Sequence, residues 1–269
     1  MGPEKLSDKE HWEAVCALHN LPRENARGTY NYRVTMDFVA AYLKGAGYRT
    51  FMEIGCAASA WLPYFAREYG YSVSGLDYSE TGCRLAEENL RLLGLKYDEI
   101  VCADIFEWGP GKKYDVIFSY GVIEHFDDPG KILGICREHL RENGLLITVV
   151  PNFNGLMGFL NEAAAPDIYR MHKVLTREQL VSLHEAAGLK NVRTDYAGIF
   201  SLAVVPWARS RRALLRPDGL PGKVAARVIN YANLAFSLVL KHFDRPTSKF
   251  MSPYIISVAR NAPPDPRLL

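Results

Sequence analysis

Three acidic side chains recur along this chain, each at or just beyond the end of an apolar run. Phe51-Met-Glu-Ile-Gly-Cys-Ala-Ala-Ser59 carries Glu53 into a loop of small residues, and Gly75-Leu-Asp77 and Cys102-Ala-Asp-Ile105 close the next two runs. If the runs are strands, the carboxylates meet along one edge of a parallel sheet, where an open α/β fold binds its ligand. Gly55, Cys56, Ala57, Ala58 and Ser59 keep that loop slim, so a ligand can approach the backbone before Ser59 opens the next helix. Asp77 follows at the spacing, about 20 residues on, where a carboxylate accepts hydrogen bonds from ribose hydroxyls. Asp104 comes one strand later and can accept from an adenine amino group, with Ile105 covering the ring. Together they specify adenosine.

The elements that must position these residues follow from patterning. From residue 49 onward, strand-like and helix-like stretches alternate, which implies a parallel sheet with helices on both faces. Strands are expected over 49–54, 71–76, 99–103, 114–120, 144–150, 191–197 and 254–259. Helix starts are signalled by Ser59, Ser79, the Asp128-Pro129 pair and the capping box Thr176-Arg-Glu-Gln179. Ahead of the sheet, Ser7-Asp-Lys-Glu10 reads as another capping box, and a second helix is expected over 33–44, closed by Gly45 and Gly47.

Glu53-Ile-Gly-Cys-Ala-Ala-Ser59, Gly75-Leu-Asp-Tyr-Ser79, Cys102-Ala-Asp-Ile105 and Tyr114-Asp-Val-Ile-Phe-Ser-Tyr-Gly-Val-Ile-Glu-His125, in that order, resemble the motifs of class I S-adenosylmethionine-dependent methyltransferases. The resemblance covers roughly 49–150 and resumes over 254–259. It implies an α/β, Rossmann-like seven-stranded, mostly parallel sheet with an antiparallel last strand. The implied organisation is an N-terminal helical lid (1–46), a core (47–198 and 252–261) and a helical insertion before the last strand (199–251). The implied cofactor is S-adenosyl-L-methionine. Asp77, followed by Tyr78, would hold the ribose, and Asp104 with Ile105 the adenine. Gly55, Cys56, Ala57 and Ser59 would admit the methionine part, and Glu53 would organise the loop or meet the ammonium group. Ser119, Tyr120 and Gly121 would end the fourth strand near the methyl. The chain departs from the family where Ala57, Ala58 and Ser59 replace further glycines. A dinucleotide-binding oxidoreductase, the alternative sharing this layout, needs the G-x-G-x-x-G phosphate loop, of which only Gly55 survives.

Methyl transfer from a sulfonium is an in-line displacement, so positioning supplies most of the acceleration and a base is optional. His125, after the fourth strand, and His172, in Tyr169-Arg-Met-His-Lys173, are the catalytic candidates, each weighed against a structural role. Tyr30, Tyr32 and Arg33 are candidate lid residues facing the acceptor. Asn152, Phe153 and Met171 belong to the segment after strand five, at the ligand-bearing edge. The motif order looks like stand-alone bacterial enzymes that methylate an O or N nucleophile of a glycan, lipid-linked or secondary-metabolite intermediate. A nucleoside-binding scaffold that keeps the fold without catalysis is the reading from another class.

Composition narrows the partners. The chain has 269 residues, 48% of them hydrophobic, enough for a full core, and a net charge of +2 gives no global case for nucleic acid. The polar N-terminus carries no secretory pattern, so a cytoplasmic protein is expected. The five cysteines form no C-x-x-C pair, are read as reduced thiols, and no metal is expected. Between the last two strands, apolar stretches flank Arg209, Arg211, Arg212 and Arg216. Neither stretch reaches the roughly 18 residues of a membrane span. An amphipathic pair covering the substrate site or making a homodimer contact is one reading of 199–251, and peripheral membrane contact is the other.

Overall fold

The computed structural model describes residues 5–24, 30–109, 111–201, 231–232, 235 and 247–262. The arginines of the 199–251 insertion, and with them the helical reading of most of that segment, lie outside the described residues.

Seven strands form one sheet: β1 (Thr50–Ile54), β2 (Ser72–Asp77), β3 (Glu99–Cys102), β4 (Tyr114–Tyr120), β5 (Leu140–Pro151), β6 (Lys190–Ala197) and β7 (Tyr254–Arg260). Their order is β3-β2-β1-β4-β5-β7-β6. The pairs from β3 through β5 are parallel, and β7 runs antiparallel to both β5 and β6. The antiparallel last strand is therefore inserted between β5 and β6. The order reverses beside β1, and at such a switch point the ends of β1, β2 and β4 splay apart to leave a crevice.

Strand period 2 separates the two faces of the core. Phe51, Val116, Phe118, Leu145, Ile147 and Val258 pack with Tyr32, Val39, Trp61 and Phe65. Their alternates Met52, Ile54, Ile117, Leu146 and Ile255 pack with Ile132, Leu133 and Leu180. The first face is thus covered by α2 (Tyr30–Leu43) and α3 (Trp61–Tyr69), the second by α5 (Pro129–Glu138) and α8 (Arg177–Ala186). The expected capping box of α8 is present in full, with Thr176 accepting from the Gln179 amide and Gln179 accepting from the Thr176 amide. Ser79 caps α4 (Glu80–Leu92) through Gly82 N–H.

Several expectations shift. Helix α1 (Lys9–Cys16) is capped by Asp8, which accepts from His11 N–H, and not by Ser7. The Ser7 hydroxyl is taken instead by the Trp12 indole N–H at 2.8 Å. Ser59 sits one residue ahead of the cap of α3, where its hydroxyl accepts from Trp61 N–H and donates to Glu53. β5 begins at Leu140, not 144, because Leu140 pairs with Tyr114 before an irregular, exposed stretch at 141–143 in which Asn143 has a φ of 62°. The segment after β5 contains two helices, α6 (Leu156–Ala164) and α7 (Pro166–Tyr169), that the patterning did not separate.

Candidate functional site

The ends of β1, β2 and β4 and the chain after β3 meet around one cavity, which holds about 820 Å³ of space counted out to its open side. Gly55, Ala57, Asp77, Tyr78, Asp104, Ile105, Tyr120, Gly121 and His125, all singled out in the sequence, line it.

Asp77 is the hub. It is buried, and its two carboxylate oxygens accept from Ala57 N–H at 2.9 Å and Ser79 N–H at 2.8 Å. Burial raises its pKa, and those two amides pull the other way by stabilising the charged form. The loop after β1 is drawn over β2 as well, with Gly55 and Cys56 N–H both donating to the Leu76 carbonyl. This tight path puts Gly55 at φ 71° and Ala57 at φ 30°, the left-handed side that glycine takes freely and alanine does not. Ala57, one of the residues that replace the family's glycines, thus still takes a glycine-like backbone conformation.

Four expected cofactor residues stand behind the cavity wall. Glu53 is buried, accepts the Ser59 hydroxyl at 2.8 Å and keeps Oε2 without a hydrogen-bond partner among the described residues. Burial holds its pKa well above the carboxylate range. Cys56 packs its sulfur against Gly75, where an added Cβ would lie 2.6 Å from Sγ. Ser119 is buried on β4. All five cysteines are free thiols.

Asp104 caps the one-turn helix Ile105–Glu107 through Phe106 N–H and pairs with Lys5. Lys5 lies 4.5 Å from the Tyr78 ring centroid and bridges Phe126, while Leu6 N–H donates to the His125 carbonyl at 2.9 Å. The chain before α1 therefore straps the cavity mouth, and an amino group approaching Asp104 competes with Lys5. Sequence reasoning missed Lys5, Ser7, Trp12 and Cys16 as lining residues. Trp12 follows closely on the Ser7-Asp-Lys-Glu10 capping signal, but nothing in the sequence says which surface that helix covers.

The lid candidates lie elsewhere. Tyr32 is buried and stacks on Trp61 at 5.4 Å, the Tyr30 hydroxyl accepts from Ile199 N–H at 2.8 Å, and Arg33 is exposed. Asn152 is buried and donates to the Lys249 and Ser252 carbonyls, tying the end of β5 to the chain entering β7. Phe153 packs edge-on to His172, and Met171 lines an adjoining groove beside Lys5 and Asp104.

His125 and His172 are brought together, with ring centroids 4.3 Å apart. Burial first, then His172 beside it, lowers the His125 pKa to about 3, and burial lowers that of His172. Both imidazoles are neutral at neutral pH. Glu124 is buried next to them, and burial pushes its carboxyl up to about 8.

Comparison with known proteins agrees with this arrangement. The chain is 31% identical over 103 residues to a ubiquinone biosynthesis O-methyltransferase of Rhodopseudomonas palustris (strain HaA2), an alignment covering 38% of this chain and only 40% of that protein. Among solved structures, it resembles a SAM-dependent methyltransferase from Archaeoglobus fulgidus (TM-score 0.54, 19% identity, 94% of this chain and 95% of that one). It also resembles the [4+2]-cyclase SpnF (TM-score 0.61, 15% identity, 97% of each chain). At these identities the structures establish the fold alone, and the cyclase shows that one fold hosts more than one reaction. The sequence model for a methyltransferase domain matches residues 19–194, well over half of the chain, and with a sheet of the matching order and acidic strand ends around one cavity, the chain belongs to the methyltransferase domain family.

Proposed function

We propose that this chain is an S-adenosylmethionine-dependent methyltransferase that methylates an oxygen of a small-molecule acceptor. The observation that carries the reading is the convergence of Asp77 and Asp104 on one cavity whose loop has no phosphate-binding glycine pattern. Asp77 takes the ribose hydroxyls on its remaining lone pairs, and Asp104 takes the adenine amino group with Ile105 against the ring. Gly55 and Ala57 flank the methionine part, and Tyr120 and Gly121 place the methyl end of the ligand toward His125. A dinucleotide would bring a pyrophosphate to a loop that lacks the glycines to cradle it.

The reaction needs little beyond alignment. A lone pair of the acceptor oxygen forms the new O–C bond as the C–S bond breaks, sulfur keeps the electron pair as a thioether, and the acceptor's proton leaves. His125 and His172 stand where that oxygen arrives, and Tyr30, Tyr32, Arg33, Asn152, Phe153 and Met171 remain the candidates for shaping the acceptor side. Oxygen is preferred to nitrogen because the curated relative is an O-methyltransferase by name. The 199–251 segment is assigned to the acceptor side, as a cover, a dimer contact or a membrane-surface element. No helix among the described residues is long and apolar enough to cross a membrane.

The test is methyl-labelled S-adenosylmethionine offered with a panel of phenols, catechols, aliphatic alcohols and amines. Label should appear in a phenolic or alcoholic ether with one S-adenosylhomocysteine released per methyl. Transfer confined to amines would overturn the oxygen assignment.

A further inference from the structure

We propose that Glu124, His125 and His172 form a binding site for one divalent first-row transition ion at the wall of the nucleoside cavity. One potential ligating atom from each residue lies within 4.8 Å of the other two, the only such group among the described residues. Two separate segments build it. Glu124 and His125 lie on the one-turn helix Ile123–His125 after β4, and His172 lies in the turn after α7. Lys173 N–H donates to the Glu124 carbonyl at 2.6 Å and locks the two segments together.

Each imidazole has one ring nitrogen committed to a backbone carbonyl. His125 Nδ1 lies 2.7 Å from the Met171 carbonyl, and His172 Nδ1 lies 2.7 Å from the Ile168 carbonyl. A carbonyl only accepts, so each Nδ1 carries the hydrogen and each Nε2 keeps the lone pair. Ligating histidines are held in this way, with the second ring N–H given to a backbone carbonyl. Trp12 packs edge-on to His125 at 5.0 Å and Phe153 edge-on to His172 at 5.1 Å, which fixes the rings further.

A second, independent observation points to a missing partner. Glu124 is 2% exposed, and its Oε2 has no hydrogen-bond partner among the described residues. An unpaired buried carboxyl oxygen is costly, and a cation would satisfy it. The neighbouring Lys173 ammonium does not, since it donates to the Asp127 carbonyl.

Two imidazole nitrogens and one carboxylate suit Zn²⁺, Fe²⁺, Co²⁺ or Ni²⁺ better than Mg²⁺ or Ca²⁺, which favour oxygen. Three protein ligands leave coordination positions open. His125 also lines the cavity, so a further ligand would come from that side. An acceptor hydroxyl bound there would lose its proton to water while its oxygen stayed on the ion, ready to attack the methyl. This deepening rests on the methyl-transfer reading, whereas the ion site itself does not.

The experiment titrates untagged, chelator-treated protein by calorimetry with Zn²⁺, Co²⁺ and Mg²⁺ in turn. One Zn²⁺ or Co²⁺ per chain is expected, with Mg²⁺ at least about tenfold weaker. His172→Ala and Glu124→Gln should each weaken Zn²⁺ roughly tenfold to a hundredfold and leave S-adenosylhomocysteine affinity unchanged. His172→Gln replaces the alanine variant if thermal melting shows that it is unfolded. No saturable ion binding, Mg²⁺ bound as tightly as Zn²⁺, or Zn²⁺ binding indifferent to both substitutions would overturn the site. Normal Zn²⁺ binding without any S-adenosylhomocysteine binding would instead leave the ion site standing and remove the methyl-transfer reading.

Discussion

Asp77→Ala is expected to weaken S-adenosylhomocysteine binding at least tenfold to a hundredfold and to lower the melting temperature as well. A charge-assisted hydrogen bond to the ribose is worth roughly 1.5–3 kcal/mol, which sets the affinity loss. The stability loss comes from the protein itself, because Asp77 is the acceptor for both Ala57 and Ser79 N–H. Leaving a buried donor unpaired costs about 1–3 kcal/mol. The loop after β1 and the start of α4 would lose their common anchor together. Asp77→Asn keeps one carbonyl oxygen and should fall between the two in both measurements. Calorimetry showing wild-type affinity for the alanine variant would remove the ribose assignment. An unchanged melting temperature would remove the anchoring role.

Gly55→Ala should do comparable damage by a different route. Gly55 has a φ of 71°, which costs an L-residue about 1–2 kcal/mol. The added Cβ would also lie 2.6 Å from Val122 Cγ2, so either the loop or the chain after β4 must move. Overpacking of that kind typically costs about 1–3 kcal/mol. Gly55 and Val122 both line the cavity, so any relief by movement reshapes the ligand site. A lowered melting temperature together with an affinity loss of about tenfold or more is expected, the loss following from a shift of roughly 1.4 kcal/mol in binding. Gly45→Ala, at a similar φ of 69° but with nothing within 4 Å of the added Cβ, is the control for backbone strain alone. If the two variants melt and bind alike, close packing against Val122 is not what the glycine serves.

The sheet was readable because its signal is local. Apolar runs that end in Glu53, Asp77 and Asp104 are short, and the small-residue loop follows the first at once, so strand ends and their carboxylates could be placed together. The antiparallel entry of β7 came from the family resemblance and not from the strand's own residues, and the sheet order bears it out. What stayed hidden depends on pairs distant in sequence. Nothing near Lys5 says that it reaches Asp104, and nothing near Trp12 says that it packs on His125. Asn152 was noticed as a polar residue at the right edge, yet its amide is spent on carbonyls that arrive with the chain before β7. Ser7 lost the helix cap to Asp8 because the Trp12 indole competes for its hydroxyl, a contest that spacing alone does not decide. No metal is expected from the sequence because its cysteines and histidines lack zinc-type spacing. His125 and His172 meet only through the fold.

The central claim is that the cavity at the ends of β1, β2 and β4 holds an adenosyl sulfonium or its thioether product. Calorimetric titration of the wild-type chain with S-adenosylhomocysteine, beside NAD at equal concentration, tests it most directly. The account predicts a one-to-one complex of roughly micromolar affinity, equivalent to about −8 kcal/mol, and no saturable binding of the dinucleotide. Tight NAD binding with no detectable S-adenosylhomocysteine binding would contradict it.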